Sequence, residues 1–405
     1  MTTRMRPIRH TIPLDEARAI INGAVRPIER TERVGLLQAH GRVLTNHALA
    51  ASDVPPFARA AMDGYAVRAG DTVGASRSEP KTLRCIEQLF TGQVARRAVG
   101  PGQCMEIATG APMPEGADSV VMVEDTETAG EIVRVLTPVH PRQNVGRQGS
   151  DIEAGQTVLE PGEVLSPARI GALAAIGATD VEVYAKPRVA ILSTGNEIVD
   201  PGRPLEPGQI HDVNRFTVAC VVAEHGGVPV LARTATDALD DLVRALDECL
   251  EHDVIVFSGG SSVGERDLIL DVIAARGTVC FHGLSVKPGK PTAFGMVGGT
   301  PVFGMPGYPT SCLTNAYILL APALRQIARL PAAPLRTVSV PLARRVVSAP
   351  GRHQFYTVRI VDDAAVPAFK ASGDITSMSK ADGYIEIPAD VDIVEQGERV
   401  KVVLF

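Results

Sequence analysis

Several common signatures are missing from this chain, and each absence removes a class of protein. No C-x-x-C pair occurs among its six cysteines, so neither a zinc finger nor a disulfide framework is suggested, and reduced cytosolic thiols are the default. The nine histidines include no pair at metal-ligand spacing. No run approaches the ~20 apolar residues of a membrane span. The basic stretch 1–10 has no apolar segment behind it, so a signal peptide is not expected. Cationic excess is lacking too: the net charge is −6 and the acids are spread out, which argues against nucleic acid as the main partner. No G-x-G-x-x-G opens a helix after a first strand, against a dinucleotide-dependent oxidoreductase. Tryptophan is absent altogether.

What is present is a globular composition, 45% apolar over 405 residues, enough for two to four domains. Thirty-eight glycines and 30 prolines imply many turns. The most informative stretch is 253–309. An apolar run at 254–257 leads into Ser258-Gly259-Gly260-Ser261-Ser262-Val263-Gly264, then Glu265-Arg266-Asp267 and an amphipathic run at 268–276. Two proline-glycine loops follow: Lys287-Pro288-Gly289-Lys290-Pro291 and Gly304-Met305-Pro306-Gly307-Tyr308-Pro309. A glycine turn between strand and helix lets backbone N–H groups close on a phosphate, and the helix start adds partial positive charge. Lys287 and Lys290 add point charges. Glu265-Arg266 stands where a P-loop needs Lys then Ser/Thr, so this is not that motif. Three such loops in one region point to an anion pocket rather than to simple connections.

Along the rest of the chain, 14–25 and 32–44 read as surface helices by their apolar spacing. Short strands at 65–67, 83–89, 104–108, 119–124 and 132–136 predict a small β domain. Asp63-Gly64 is a turn signal there, and Thr109 sits in a Gly/Pro turn where its hydroxyl can cap the turn or meet a ligand. Ser166 and Pro167 start a helix over 167–176. From Arg188 onward strands at 189–192, 228–232 and 254–257 alternate with helices at 216–225, 240–251 and 268–276. That order predicts a parallel sheet covered on both faces, with ligands beyond the carboxyl ends of its strands. Glu197, Asp237 and Asp267 all follow such ends. Acidic groups beside an anion pocket make sense with a metal between them, Mg²⁺ being the hard-oxygen choice; separately, each is also an ordinary capping or solvated loop residue. Thr310 or Ser311 caps a long helix at 311–330, and a strand-rich segment, 335–405, closes the chain as a small barrel or sandwich. Ser377 and Ser379 precede one of its strands.

Taken together these pieces resemble the molybdopterin molybdenumtransferase family, which includes bacterial MoeA and the C-terminal domain of gephyrin. The matching segments are Pro55-Pro56-Phe57, Ala61-Met62-Asp63-Gly64-Tyr65-Ala66-Val67, Thr109-Gly110-Ala111-Pro112-Met113-Pro114, Ser193-Thr194-Gly195 with Glu197, Ser258-Gly259-Gly260 with Ser262-Val263-Gly264-Glu265 and Asp267, and the lysine loop. They span nearly the whole chain in the same order.

The resemblance implies a multidomain α/β plus β protein. A first domain in two segments, 1–50 and 141–185, would carry an inserted β domain, 51–140. A central three-layer α/β domain of molybdopterin-binding type, 186–331, would be followed by a C-terminal β domain, 332–405. It implies a cytoplasmic homodimer that takes adenylylated molybdopterin and molybdate, cleaves the adenylate with Mg²⁺ and releases AMP. Carried onto this chain, Asp63, Asp151, Asp237 and Asp267 would be catalytic. Glu197, Asp237 and Asp267 would hold the metal. Thr109, Ser258, Gly259, Gly260, Ser262, Gly264, Lys287, Lys290, Pro306, Gly307 and Ser377 would bind substrate. Asp63, Thr109 and Asp151 would come from the other subunit. The chain departs from the family pattern at Ala58-Arg59-Ala60, Asn196, Gly283 and Tyr308. Arg59 and Tyr308 motivate an alternative expectation, a gephyrin-like scaffold holding a partner peptide in an interdomain groove.

Overall fold

The computed structural model describes residues 8, 10–259, 268–371 and 373–405. They form two compact units, one made of the described residues within 1–32, 41–43 and 183–405 and the other of 33–40 and 44–182.

The second unit is built on a six-stranded sheet. Its order is Ser119–Met122, Gly64–Val67, Gln103–Ile107, Lys81–Leu89, Ile132–Val135 and Thr126–Ala129. The predicted strands are all there, within a residue or two of their expected ends. Period-two alternation sends Tyr65, Val67, Leu83, Cys104, Val121 and Val133 to one buried face, and Ala66, Met105, Ile107 and Val120 to the other; a register shift between Cys85 and Gln88 puts Leu89 on that second face as well. Gly64 is required by sterics: a Cβ there would stand 1.9 Å from the carbonyl oxygen of Val121 on the neighbouring strand. Outside the sheet, the helix Pro167–Ala175 begins as the sequence indicates, with Ser166 Oγ accepting from the backbone N–H of Arg169.

The expected helix at 32–44 is not formed. Thr31–Gly35 is a strand paired with Asp180–Tyr184, and only one helical turn, Leu36–Ala39, follows. Four apolar residues suited either period, and the partner strand decided between them.

The first unit holds a sheet ordered Val228–Leu231, Arg188–Ser193, Val254–Ser258, Thr300–Met305, Ala293–Val297 and Thr278–His282. The first three strands are the ones read from sequence and are parallel, as predicted; Thr300–Met305, which was not expected, joins them in parallel. The last two are antiparallel, an extension of the sheet that was not expected. Val189, Ile191, Val254 and Val256 face a core shared with Leu14, Ala17 and Ile21 of the helix Leu14–Ala24, with Val218 and Val222 of Asn214–Glu224, and with the helical segment near 320. Ala190, Leu192, Ile255 and Phe257 face the helices Leu239–Cys249 and Leu268–Arg276. The result is three layers, helices on both sides of one sheet.

The last helical segment differs from its expected form. It runs Pro309–Asn315, widens to a π-helical turn at Ala316–Leu320, and resumes over Ala321–Ile327. Neither Thr310 nor Ser311 caps it: both are buried within the first turn. A final sheet runs Val286–Lys287, His353–Val361, Gly383–Ile387, Arg399–Leu404 and Thr337–Pro341, with Ala364–Pro367 paired to His353–Val361. Its core includes Val358, Ile385, Val402 and Leu342. No described helix is long and apolar enough to cross a membrane.

Candidate active site

Three parallel strands of the first unit end level with one another. Ser193 is in register with Ser258, and Ser258 with Met305. The loops that leave them therefore start from one edge of the sheet. They are tied there: Thr194 N–H donates to Ser258 O at 3.0 Å, and Gly259 N–H to Met305 O at 3.3 Å. Gly259 has φ +100°, and a Cβ on it would lie 2.5 Å from Thr194 O. Only glycine passes this point, which agrees with the sequence argument for a glycine turn here. A Cβ on Gly307 would come within 3.6 Å of the Gly259 Cα, so the two glycine loops meet. Pro306 is buried and Gly307 exposed.

Asn214, at the start of the helix Asn214–Glu224, secures this meeting: its Nδ2 donates to Gly307 O at 2.8 Å. Its Oδ1 is buried with no hydrogen-bond partner among the described residues, as are Ser193 Oγ and Thr194 Oγ1. Asn214 was not singled out from sequence, and Thr194 only as part of the Ser193-Thr194-Gly195 segment. The available signal was an amide at a helix start directly after the Gln209–Val213 loop, which reads equally well as a cap.

The acids lie on adjoining loops. Glu197 is exposed, and its carboxylate fills the space beside Gly195, within 2.6–2.8 Å of where a Cβ would be. Gly195 has φ +136°. Asp237, also exposed, donates its backbone N–H to Asn196 Oδ1 at 3.5 Å, while Thr194 bridges Ala235. Asn196 thus links the loop of Asp237 to that of Glu197. The third expected acid, Asp267, lies outside the described residues, with Gly260, Ser262 and Gly264. Among the described residues no group of three potential metal ligands is gathered. Two hard carboxylate oxygens on neighbouring loops fit Mg²⁺ as it is bound with nucleotides, through one or two carboxylates and the substrate's phosphates rather than a closed cage.

Lys287 is half-buried at the end of a short strand, Val286–Lys287, and its Nζ lies 5.9 Å from the Phe369 ring centroid. Lys290 Nζ donates to Ile8 O at 3.1 Å. Between them Gly289 has φ +107°, and its carbonyl accepts from Asn315 Nδ2 and Thr292 Oγ1, both at 2.9 Å. The lysine loop is therefore braced from beneath. Ser377 is fully buried, its Oγ 3.3 Å from Thr310 Oγ1, which also bonds Asp374 O at 3.2 Å. It supports the start of Pro309–Asn315 from the C-terminal domain.

In the second unit, Asp63 Oδ1 accepts from Thr109 N–H at 2.7 Å and Thr109 Oγ1 at 2.9 Å. The backbone N–H of Thr109, then its hydroxyl, hold the Asp63 carboxyl below the usual carboxylate range. The two residues singled out from separate motifs are thus one hydrogen-bonded pair. Asp63 also borders a cleft of about 250 Å³. Asp151 is exposed, with its backbone N–H on Val54 O at 3.1 Å.

A three-layer α/β domain with glycine loops and carboxylates at one strand edge, a separate β unit and a terminal β domain define a multidomain protein of α/β and β parts with a candidate anion site. Three family models match in succession. They are the MoeA N-terminal region (domain I and II) over 12–177, a probable molybdopterin binding domain over 190–326 and the MoeA C-terminal region (domain IV) over 339–405. Molybdopterin molybdenumtransferase 2 of Mycobacterium tuberculosis is 35% identical over 390 residues, 94% of this chain and 95% of that protein. The molybdopterin molybdenumtransferase of Staphylococcus aureus is 28% identical over 404 residues, covering 98% and 96%. A crystal structure of a MoeA protein from Pyrococcus horikoshii superposes with a TM-score of 0.84 at 38% identity, covering 98% of this chain and 99% of that one. The chain belongs to the MoeA family of molybdopterin molybdenumtransferases.

Proposed function

We propose that this chain completes molybdenum cofactor assembly. It would insert molybdate into adenylylated molybdopterin with Mg²⁺-dependent release of AMP, acting as a homodimer. The observation that carries the reading is the meeting of Gly259 and Gly307 at the carboxyl edge of the parallel strands, on loops next to those of Glu197 and Asp237. Backbone that approaches this closely can surround a phosphate with N–H groups and exclude bulk water. Lys287 and Lys290 supply positive charge on a braced turn, and Asn214 keeps the Gly307 loop in place. Glu197, Asp237 and Asp267 would hold the magnesium. The charge supplied by the ion at these carboxylates would offset that of the substrate's phosphates and favour cleavage of the pyrophosphate bond. Asp63 and Asp151 are the remaining acids assigned to the reaction. Thr109 keeps Asp63 ionised and oriented, ready to accept a hydrogen bond rather than donate a proton.

The test is reconstitution. Purified protein given adenylylated molybdopterin, molybdate and Mg²⁺ should release AMP and retain molybdenum. EDTA should stop the release, and added Mg²⁺ should restore it. Asp267→Ala, Glu197→Ala and Asp237→Ala should each cut the rate at least a hundredfold, about 3 kcal/mol or more. A folded wild-type dimer that leaves the adenylate intact overturns the reading. Tungstate run in parallel defines the oxyanion preference.

A further inference from the structure

The cleft in the second unit has walls that the reading above uses only at Asp63. Its base is the part of the sheet where Gly64–Val67, Gln103–Ile107 and Lys81–Leu89 lie side by side. The register sets Tyr65 opposite Glu106, and Glu106 beside Gln88. Gln88 Nε2 donates to Glu106 Oε2 at 2.7 Å. That bond orients the carboxylate and leaves acceptor sites on both of its oxygens, since an ionised carboxylate offers about four. Two apolar side chains line the same cleft and stay exposed, Phe90 at 54% and Val123 at 49%. A flat ring beside an oriented acceptor is a common way to hold a planar heterocycle.

We propose that this cleft binds the pterin ring of the substrate, with Glu106 reading the 2-amino-4-oxopyrimidine edge and Phe90 covering a face of the ring. The choice of a pterin rests on the function proposed above. The cleft itself decides which end of that substrate it takes. Its volume is below the roughly 300–1,000 Å³ of sites for drug-sized ligands, so it suits one fused bicycle rather than a whole nucleotide ester. A carboxylate only accepts, and the pterin edge presents an amino group and a ring N–H side by side as donors. Adenine offers a donor next to an acceptor, and that acceptor would face carboxylate oxygen unpaired. Phosphates are disfavoured in a cleft carrying both Asp63 and Glu106. Glu106 and Gln88 thereby become specificity residues for the pterin end.

The experiment titrates 6-hydroxymethylpterin into the full-length protein and follows quenching of pterin fluorescence, which no tryptophan overlaps. The wild type should quench. Glu106→Gln keeps the shape of the side chain but loses the charge, and Phe90→Ala changes an exposed residue; each should weaken binding about tenfold or more. AMP titrated by calorimetry should bind both variants as it binds the wild type. Equal pterin affinity in wild type and both variants overturns the proposal, as does a folded wild type that binds AMP but no pterin. The two readings separate cleanly. AMP release by a protein whose pterin binding ignores Glu106 sinks only the cleft assignment. Glu106-dependent pterin binding without AMP release sinks only the reaction.

Discussion

Replacing Gly259 with alanine tests whether close backbone approach at the strand edge is what the site is built on. Two costs arise. The backbone has φ +100°, a region that costs an L-residue roughly 1–2 kcal/mol. The new methyl would also stand 2.5 Å from Thr194 O and 3.0 Å from Thr194 Oγ1, so the two loops must part, at about 1–3 kcal/mol by analogy with overpacked interiors. Gly202 supplies the control. It lies in the same unit at φ +91°, with nothing within 4 Å of its would-be Cβ. Gly202→Ala therefore carries the first cost alone, and Gly259→Ala both, about 2–5 kcal/mol. Urea unfolding should be followed by far-UV circular dichroism, because the chain has no tryptophan to report on its cores. The two compact units can unfold separately, but both glycines are read on the same unit's transition. Gly259→Ala should also abolish AMP release under conditions where it remains folded, while Gly202→Ala should not. Equal destabilisation by the two substitutions, or full turnover by Gly259→Ala, would refute the reasoning.

Three further outcomes follow from single contacts. Asn214→Ala removes the donor to Gly307 O and should lower kcat for AMP release more than it raises KM for the adenylate, at about 1–3 kcal/mol; an unchanged kcat would mean that the loop holds itself. Thr109→Val removes one of the two bonds that depress the Asp63 pKa. A carboxyl depressed in the folded state contributes stability above its unfolded pKa and loses it as pH falls through the folded one. The acid limb of the pH–rate profile should accordingly move to higher pH in this variant, in part only, because the Thr109 N–H remains; an unmoved limb excludes Asp63 from that titration. Burial raises the Asp253 pKa, but the pair of bonds from Arg30 and the Arg188 N–H outweigh it, so the carboxyl ends below its usual range. Arg30→Ala should destabilise the first unit by about 1 kcal/mol at neutral pH, after screening of the half-exposed guanidinium. The loss should shrink below about pH 4 as Asp253 protonates; urea midpoints at pH 7 and pH 3 that differ from wild type equally would count against the ion pair.

Local signals were legible where they did not compete. Ser166-Pro167 marked a helix start that the structure keeps, and the helix that includes Leu268–Arg276 stops at Arg276, where its amphipathic run stops. Alternation with turns was enough to find five of the six strands in the main sheet of the small β unit, while the edge strand Thr126–Ala129 went unread. The segment at 32–44 was misread because apolar residues at Val34, Leu36, Leu37 and Ala39 satisfy a helix as well as a strand, and the deciding partner is Asp180–Tyr184, far along the chain. The hairpin Ala293–Val297 to Thr300–Met305 went unread although its Gly298-Gly299 turn, with φ +57° and +89°, is the pattern two-residue hairpins prefer. At the site, glycine and lysine loops announce themselves by composition. Asn214 does not: one amide before a helix says nothing about the carbonyl it meets at Gly307, because that contact exists only once the sheet is assembled.

The helix Leu14–Ala24 and Ile28 share a core with strands that begin at Arg188 and later, yet the whole of the second unit is encoded in between. During translation the opening helix leaves the ribosome with Leu14, Ala17 and Ile21 uncovered, and the inserted unit can finish folding first. Only when the last strands of the α/β sheet emerge does that helix find its seat. The interval is a window for chaperone capture, set by the order of the segments in the gene rather than by any weakness in the finished core.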